Sequence, residues 1–131
     1  QCLTSGAQPL MFGDGGAQRD YCYVGNVCDA IWLSATKKQK FSNEVLNVGT
    51  GIATDLNELF YTIKDAVLAS GLVNVIEAID HRPWREGDIV NSFADISKIQ
   101  STFEFTPSIN LTQGIERILR IEYGGSSDGV R

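Results

Sequence analysis

Phe12-Gly13-Asp14-Gly15-Gly16-Ala17-Gln18-Arg19-Asp20-Tyr21 is the stretch from which the fold is read. Its first half is turn material. From Arg19 to Val24 the chain alternates like a strand, with Tyr21 and Tyr23 on one face and Cys22 and Val24 on the other. The apolar run Pro9-Leu10-Met11-Phe12 in front of it reads as a strand end. Taken alone, the segment is a hairpin turn in which Arg19 and Asp20 form a surface ion pair of small value. Its functional reading makes the Arg19 guanidinium a planar fork for phosphate oxygens, with small residues keeping the turn close. Tyr21 and Tyr23 read equally as plain sheet-face aromatics.

Working outward, Asn26 reads as an N-cap, and Val27, Ala30, Ile31 and Ala35 share one helical face. Residues 37–42 form a polar loop. Residues 44–48 read as a second strand, closed by Gly49-Thr50-Gly51. Thr54 or Asp55 caps the clearest helix, in which Leu56, Leu59, Phe60, Ile63, Val67 and Leu68 keep the helical period until Gly71. Residues 73–79 read as a strand, 80–87 as a loop containing Pro83, and 89–93 as short and extended. A helix over 95–103 buries Ile96, Ile99 and Phe103. A last helix over 111–123 turns Leu111, Ile115, Ile118 and Leu119 inward. Residues 1–123 are the folded portion and 124–131 a flexible tail. Strands alternating with helices predict an α/β architecture.

The totals narrow the function. At 131 residues, with 43% hydrophobic and 21% charged content, the chain is one ordinary globular domain. No apolar run approaches the roughly 20 residues that span a bilayer. No basic start leads into an apolar stretch, which predicts a cytoplasmic protein. The net charge is −5, and Lys37, Lys38 and Lys40 form the one basic cluster, which argues against nucleic acid as a partner. Cys2, Cys22 and Cys28 form no Cys-x-x-Cys motif, and the lone His81 has no second metal ligand nearby. Reduced thiols and no metal site are expected.

A second charged turn, Arg85-Glu86-Gly87-Asp88, is followed by Ser92 and then by Ala94-Asp95-Ile96-Ser97-Lys98. It is a simple turn in one reading. In the other, Arg85 neutralises phosphate charge and Asp88 accepts hydrogen bonds from neighbouring ribose hydroxyls. Arg82 is taken as a solvated loop residue, and His81 as a loop residue rather than a catalyst. Asn47-Val48-Gly49-Thr50-Gly51 has the strand-to-helix setting of a phosphate-binding turn, but Gly49-x-Gly51-x-x-Thr54 lacks the third glycine. Gly13-x-Gly15-x-x-Gln18 fails in the same way. Both are expected to be sharp turns.

In register and in this order, residues 12–24, 47–59 and 85–98, with Phe105-x-Pro107 and the closing helix, resemble the NAD-dependent epimerase/dehydratase family. These are the extended short-chain dehydrogenase/reductase enzymes acting on nucleotide sugars. The resemblance covers roughly residues 8–123 and is to the family's C-terminal part. Within it, residues 19–24 and the small Ser92 are most similar to the UDP-N-acetylglucosamine 4-epimerases. The resemblance implies the substrate-binding portion of an extended Rossmann-type enzyme, with the NAD-binding half absent. It implies a binding set of Arg19, Tyr21, Arg85, Asp88 and Ser92. Arg19 and Arg85 would contact the diphosphate and Asp88 the ribose. Ser92 would stand at a pocket wall where glucose-type relatives carry tyrosine, leaving room for an N-acetyl group.

The departures bear on activity. The chain holds no Gly-x-x-Gly-x-x-Gly loop for NAD, and none of Tyr21, Tyr23, Tyr61 and Tyr123 has lysine four positions on. Gly25-Asn26 also replaces an acidic residue usual after the Tyr-Val. No catalytic residue and no cofactor site are therefore expected here, and no isomerase turnover by this chain alone, since a cofactor must hold the hydride during epimerisation. The expected partner is a UDP-sugar, a UDP-N-acetylhexosamine by preference. Apolar surface left by the missing half would favour self-association. The alternative is a non-catalytic interaction or structural domain that binds no nucleotide.

Overall fold

The computed structural model describes residues 2–37 and 44–124. A single-turn 3-10 helix at Leu3–Ser5 leads into β1 (Leu10–Phe12) and β2 (Gln18–Arg19). Then come α1 (Val24–Thr36), β3 (Thr54–Asp55), α2 (Leu56–Ala69), β4 (Asp80–Arg82), β5 (Asn91–Ser92), α3 (Ser97–Phe103) and α4 (Leu111–Tyr123). β1 and β4 pair in parallel, Leu10 opposite Asp80. The other strands form a sheet ordered β3-β2-β5, with β2 antiparallel to β3 and parallel to β5. The architecture is mixed α/β, as the alternation of elements predicts.

Where side-chain chemistry is local, the helices follow the sequence. The Asp55 carboxylate accepts from the Glu58 amide at 2.7 Å and starts α2. α4 covers the expected residues and opens with a capping box, in which Asn110 accepts from the Gln113 amide at 2.9 Å and Gln113 accepts from the Asn110 amide at 3.0 Å. Such reciprocal bonds satisfy two otherwise unpaired amides of the first turn. α3 buries Ile99 and Phe103 in a core with Ala30, Ile96 and Phe105.

The expected strands fare differently. Among the described residues, neither 44–48 nor 73–79 is a strand. The strand lies just beyond the second of these, at β4, in residues read as a loop. The strand over 19–24 shrinks to Gln18–Arg19, because α1 begins at Val24. A strand needs a paired edge, and the available edges sit opposite β1 and β2, where the apolar runs do not reach. Of the tail expected at 124–131 all but Gly124, and of the polar loop expected at 37–42 all but Lys37, lie outside the described residues.

Asn26 is not an N-cap; Tyr23 holds that position. Asn26 lies in the first turn of α1 and is fully buried. Its amide nitrogen donates to the Ile109 carbonyl at 2.8 Å, and its oxygen accepts from the Ser108 and Ile109 amides, each at 3.1 Å. One side chain thus ties α1 to the segment that launches α4. The Tyr23 ring completes the junction: a Cβ on Gly25 would come within 2.8 Å of it and one on Gly114 within 3.1 Å. Ala30 faces the core as expected, but Ile31 is exposed and joins Val24 and Trp32 on an outward face of α1.

Asn26→Ala leaves the buried Ile109 amide and carbonyl and the partly buried Ser108 amide without partners and should lower the unfolding free energy by about 2–4 kcal/mol. Asn110→Ala removes an exposed cap and should cost only about 1 kcal/mol. Urea melts of the two variants beside the wild type measure the difference; equal losses would dismiss the buried clamp as the stronger tie.

Candidate functional site

The site is built on β2. Arg19 turns its guanidinium toward the β5 side, donating to the carbonyls of Ile89 at 2.5 Å and Val90 at 3.2 Å and to that of Gln18 at 2.7 Å. Asp20 does not pair with Arg19. Its carboxylate accepts from the Thr50 amide at 2.9 and 3.0 Å, the Thr50 hydroxyl at 2.6 Å and the Gly51 amide at 2.9 Å. Adjacent strand residues point to opposite faces, so these two side chains grip different loops. Gly49 makes the second grip feasible, because a Cβ there would stand 2.4 Å from an Asp20 carboxylate oxygen.

The other charged turn reaches the same place from β4. Gly13 adopts a left-handed conformation with φ 79°, and a Cβ on it would stand 2.3 Å from the Trp84 indole. Its carbonyl bonds the His81 ring at 2.9 Å, and its amide donates to the Arg82 carbonyl at 2.8 Å. His81 and Arg82 are therefore strand residues, and Arg82 is paired with Asp80 at 2.6 Å rather than simply solvated. The Arg85 guanidinium lies 4.0 Å from the centre of the Phe12 ring and 3.5 Å from the Asp88 carboxylate. Both contacts are at the surface, so each is worth about 1 kcal/mol or less.

Arg19, Tyr21, Arg85 and Asp88 all border one hollow of about 900 Å³. Phe12 and Trp84 stand among them, and Leu59, Phe60, Ile63, Ile115 and Leu119 of α2 and α4 line its apolar part. Four of the five candidate residues are thus brought together. Ser92 is not in that hollow. It borders a smaller cleft of about 370 Å³ with Asp20, Asn47, Val48, Phe93 and Ala94, and Arg19 borders both spaces. Sequence reasoning missed Trp84 and Asp20. Strand alternation beside Arg19 carried the signal for Asp20, since it sends neighbouring side chains to opposite faces.

Burial pushes the Tyr21 phenol above its ordinary value, Arg19 opposes this and Asp55 adds to it. Burial likewise raises the Cys22 thiol, with Asp20 reinforcing the effect. Both groups are held in their neutral, protonated forms. Among the described residues no His, Cys, Asp and Glu cluster has the make-up to hold a metal ion. The Gly49-Thr50-Gly51 turn in front of α2 has the setting for a pyrophosphate, yet its amides are already taken by the Asp20 carboxylate. It is a sharp turn closed by the chain's own anion.

Residues 1–118 match the GDP-mannose 4,6 dehydratase family, and the chain belongs to that family, within the NAD-dependent epimerase/dehydratases. A Methanocaldococcus jannaschii protein provisionally assigned as a UDP-glucose 4-epimerase is 40% identical over 117 residues, which are 89% of this chain and 35% of its own. The UDP-glucose 4-epimerase of Thermotoga maritima, solved with UDP-glucose, is 32% identical with a TM-score of 0.76, covering 94% of this chain and 36% of that one. A UDP-N-acetylglucosamine 4-epimerase from Methanobrevibacter ruminantium, solved with UDP-N-acetylmuramic acid, is 28% identical with a TM-score of 0.72 over 92% of this chain and 37% of its own. Neighbours of the same fold include epimerases with NAD bound. The chain spans about 35% of the length of the curated relatives it matches, and its fold corresponds to the C-terminal part of the extended enzymes. No helix among the described residues is long and apolar enough to cross a membrane.

A raised phenol in the folded state means that the unfolded chain releases this proton first as pH rises. Stability is therefore full below the ordinary tyrosine value of 10.0 and falls as pH climbs through the higher folded value. An absorbance titration of the native chain should show a tyrosine component above 10.0 that Tyr21→Phe removes. Loss of a different component in that variant would contradict the assignment.

Proposed function

We propose that this chain is the UDP-sugar-binding portion of a nucleotide-sugar 4-epimerase and has no turnover by itself. Arg19 and Arg85 neutralise the diphosphate, and Asp88 accepts from the ribose hydroxyls. What supports the reading is the hollow that Arg19, Arg85, Asp88 and Tyr21 share, although they come from two turns far apart in the chain. Its apolar and aromatic lining suits the nucleoside end of such a ligand.

Arg19 borders both cavities. A diphosphate seated there has its nucleoside in the larger hollow and its sugar in the smaller cleft, beside Ser92. The sugar favoured is a UDP-N-acetylhexosamine. The small Ser92 side chain and the likeness to an epimerase named for UDP-N-acetylglucosamine support that choice. Arg85 and Asp88 are satisfied by each other until the ligand arrives, and both are at least partly open to water. Binding must exchange that weak pair for two stronger contacts, so affinity falls as salt screens the charges.

Calorimetric titration of the chain with UDP tests the proposal. Saturable binding is expected, weaker at high salt, and reduced by about tenfold or more in Arg85→Ala, equivalent to about 1.4 kcal/mol. NAD titrated under the same conditions should give no saturable heat. Unchanged UDP affinity in Arg85→Ala would remove that arginine from the site. Absence of any UDP binding would favour an interaction or structural domain instead.

A further inference from the structure

We infer that Asp20 is a positioning residue for the nucleotide seat, acting through Arg19. The inference rests on the UDP-sugar reading and names what orients its central cation. β2 is two residues long and lies in the middle of its sheet. Its main-chain ladder is correspondingly short, extended toward β5 by the Gln18 amide on the Val90 carbonyl at 2.8 Å and the Asp20 amide on the Ser92 carbonyl at 3.2 Å. So few bonds leave the twist of the strand poorly determined.

Asp20 supplies the missing constraint. Its two carboxylate oxygens accept four contacts from Thr50 and Gly51, three of them with main-chain amides. Bonds to an ionised acceptor are roughly twice as strong as neutral ones. The turn is shaped to receive them. Gly49 is buried and carries no Cβ, and one placed there would meet both the Asp20 carboxylate at 2.4 Å and the Ala94 methyl at 3.0 Å. The Thr50 hydroxyl serves Asp20 and also accepts from the Ile52 amide at 3.2 Å, bracing the turn from within.

The residue so anchored is the immediate neighbour of Arg19. The Gln18, Ile89 and Val90 carbonyls aim the Arg19 fork relative to its own strand, so a rotation of β2 that relaxes Asp20 disturbs those bonds and shifts the fork at the border of the hollow. A guanidinium recognises phosphate through the direction of its N–H groups, so a small rotation costs it binding. A lysine ammonium, which has no fixed fork, loses much less. That difference separates positioning from general support of the fold.

The test is a double-mutant cycle read by UDP calorimetry, with circular dichroism and urea midpoints recorded for every variant. Asp20→Asn keeps the shape and loses the charge; it should weaken UDP binding about tenfold, and by less than about twofold when Arg19 is already Lys. Gly49→Ala attacks the same contact from the other side and should match Asp20→Asn. Thr50→Val should give a smaller loss that Thr50→Ser restores. Equal losses in the Arg19 and Arg19→Lys backgrounds, or no loss in either, would overturn the inference while leaving UDP binding intact. A wild-type chain that binds no UDP overturns the parent reading and this one with it.

Discussion

A strand of two residues cannot hold itself in place, and β2 is such a strand at the centre of its sheet. The surroundings supply what the ladder lacks. The Arg19 guanidinium draws in the carbonyls of Ile89 and Val90, and the Asp20 carboxylate draws in the amides of Thr50 and Gly51. Each charge meets main-chain dipoles of the opposite sense, which are fixed partners that need no entropy of their own to align. The result is a rivet between two loops far apart in sequence. β3 pairs with β2 and runs directly into α2, so the start of that helix is tied to it as well.

That arrangement explains what the amino-acid sequence discloses and what it withholds. α4 is legible to the residue and α2 to within a residue or two, its cap being the second of the two candidates, Asp55, because period and stop signal lie within or beside each element. The strands expected at 44–48 and 73–79 are apolar runs without an edge to join, and pairing is a property of the partner as much as of the run. Asn26 has the right chemistry for a helix start, yet its bonds go to Ser108 and Ile109, across most of the chain. No local signal announces such a partner. In the site, the residues carrying charge in a turn were legible: Arg19, Arg85 and Asp88 converge with Tyr21 on one hollow. The division into two cavities was not, and Ser92 falls on the far side of Arg19 from the others.

Ile118 marks the same limit in another way. Its helical period points it inward, and it does line the hollow, yet half of it remains exposed. Hydrophobic periodicity reports the direction a helix faces, not whether atoms stand opposite it. α2 and α4 meet each other but leave an open apolar lining between them and β1. An apolar side chain beside an open hollow has already lost the water on its flanks, and it gains the rest of its burial only when something enters.

The two arginines are poised differently in consequence. Arg19 is satisfied by neutral carbonyls, which orient the guanidinium but leave its charge uncompensated. Arg85 stands against a carboxylate and an aromatic face, so its field is partly cancelled in place. On the proposed UDP-sugar reading, an anion approaching the hollow meets its strongest attraction at Arg19, the cation at the junction of the two cavities. The second cation sits on an exposed turn through Gly87 and can leave Asp88 at little cost, because a surface pair of this kind is worth so little. On that same reading, one fixed charge chooses the position and one movable charge completes it, a division of labour that follows from which partner each guanidinium has.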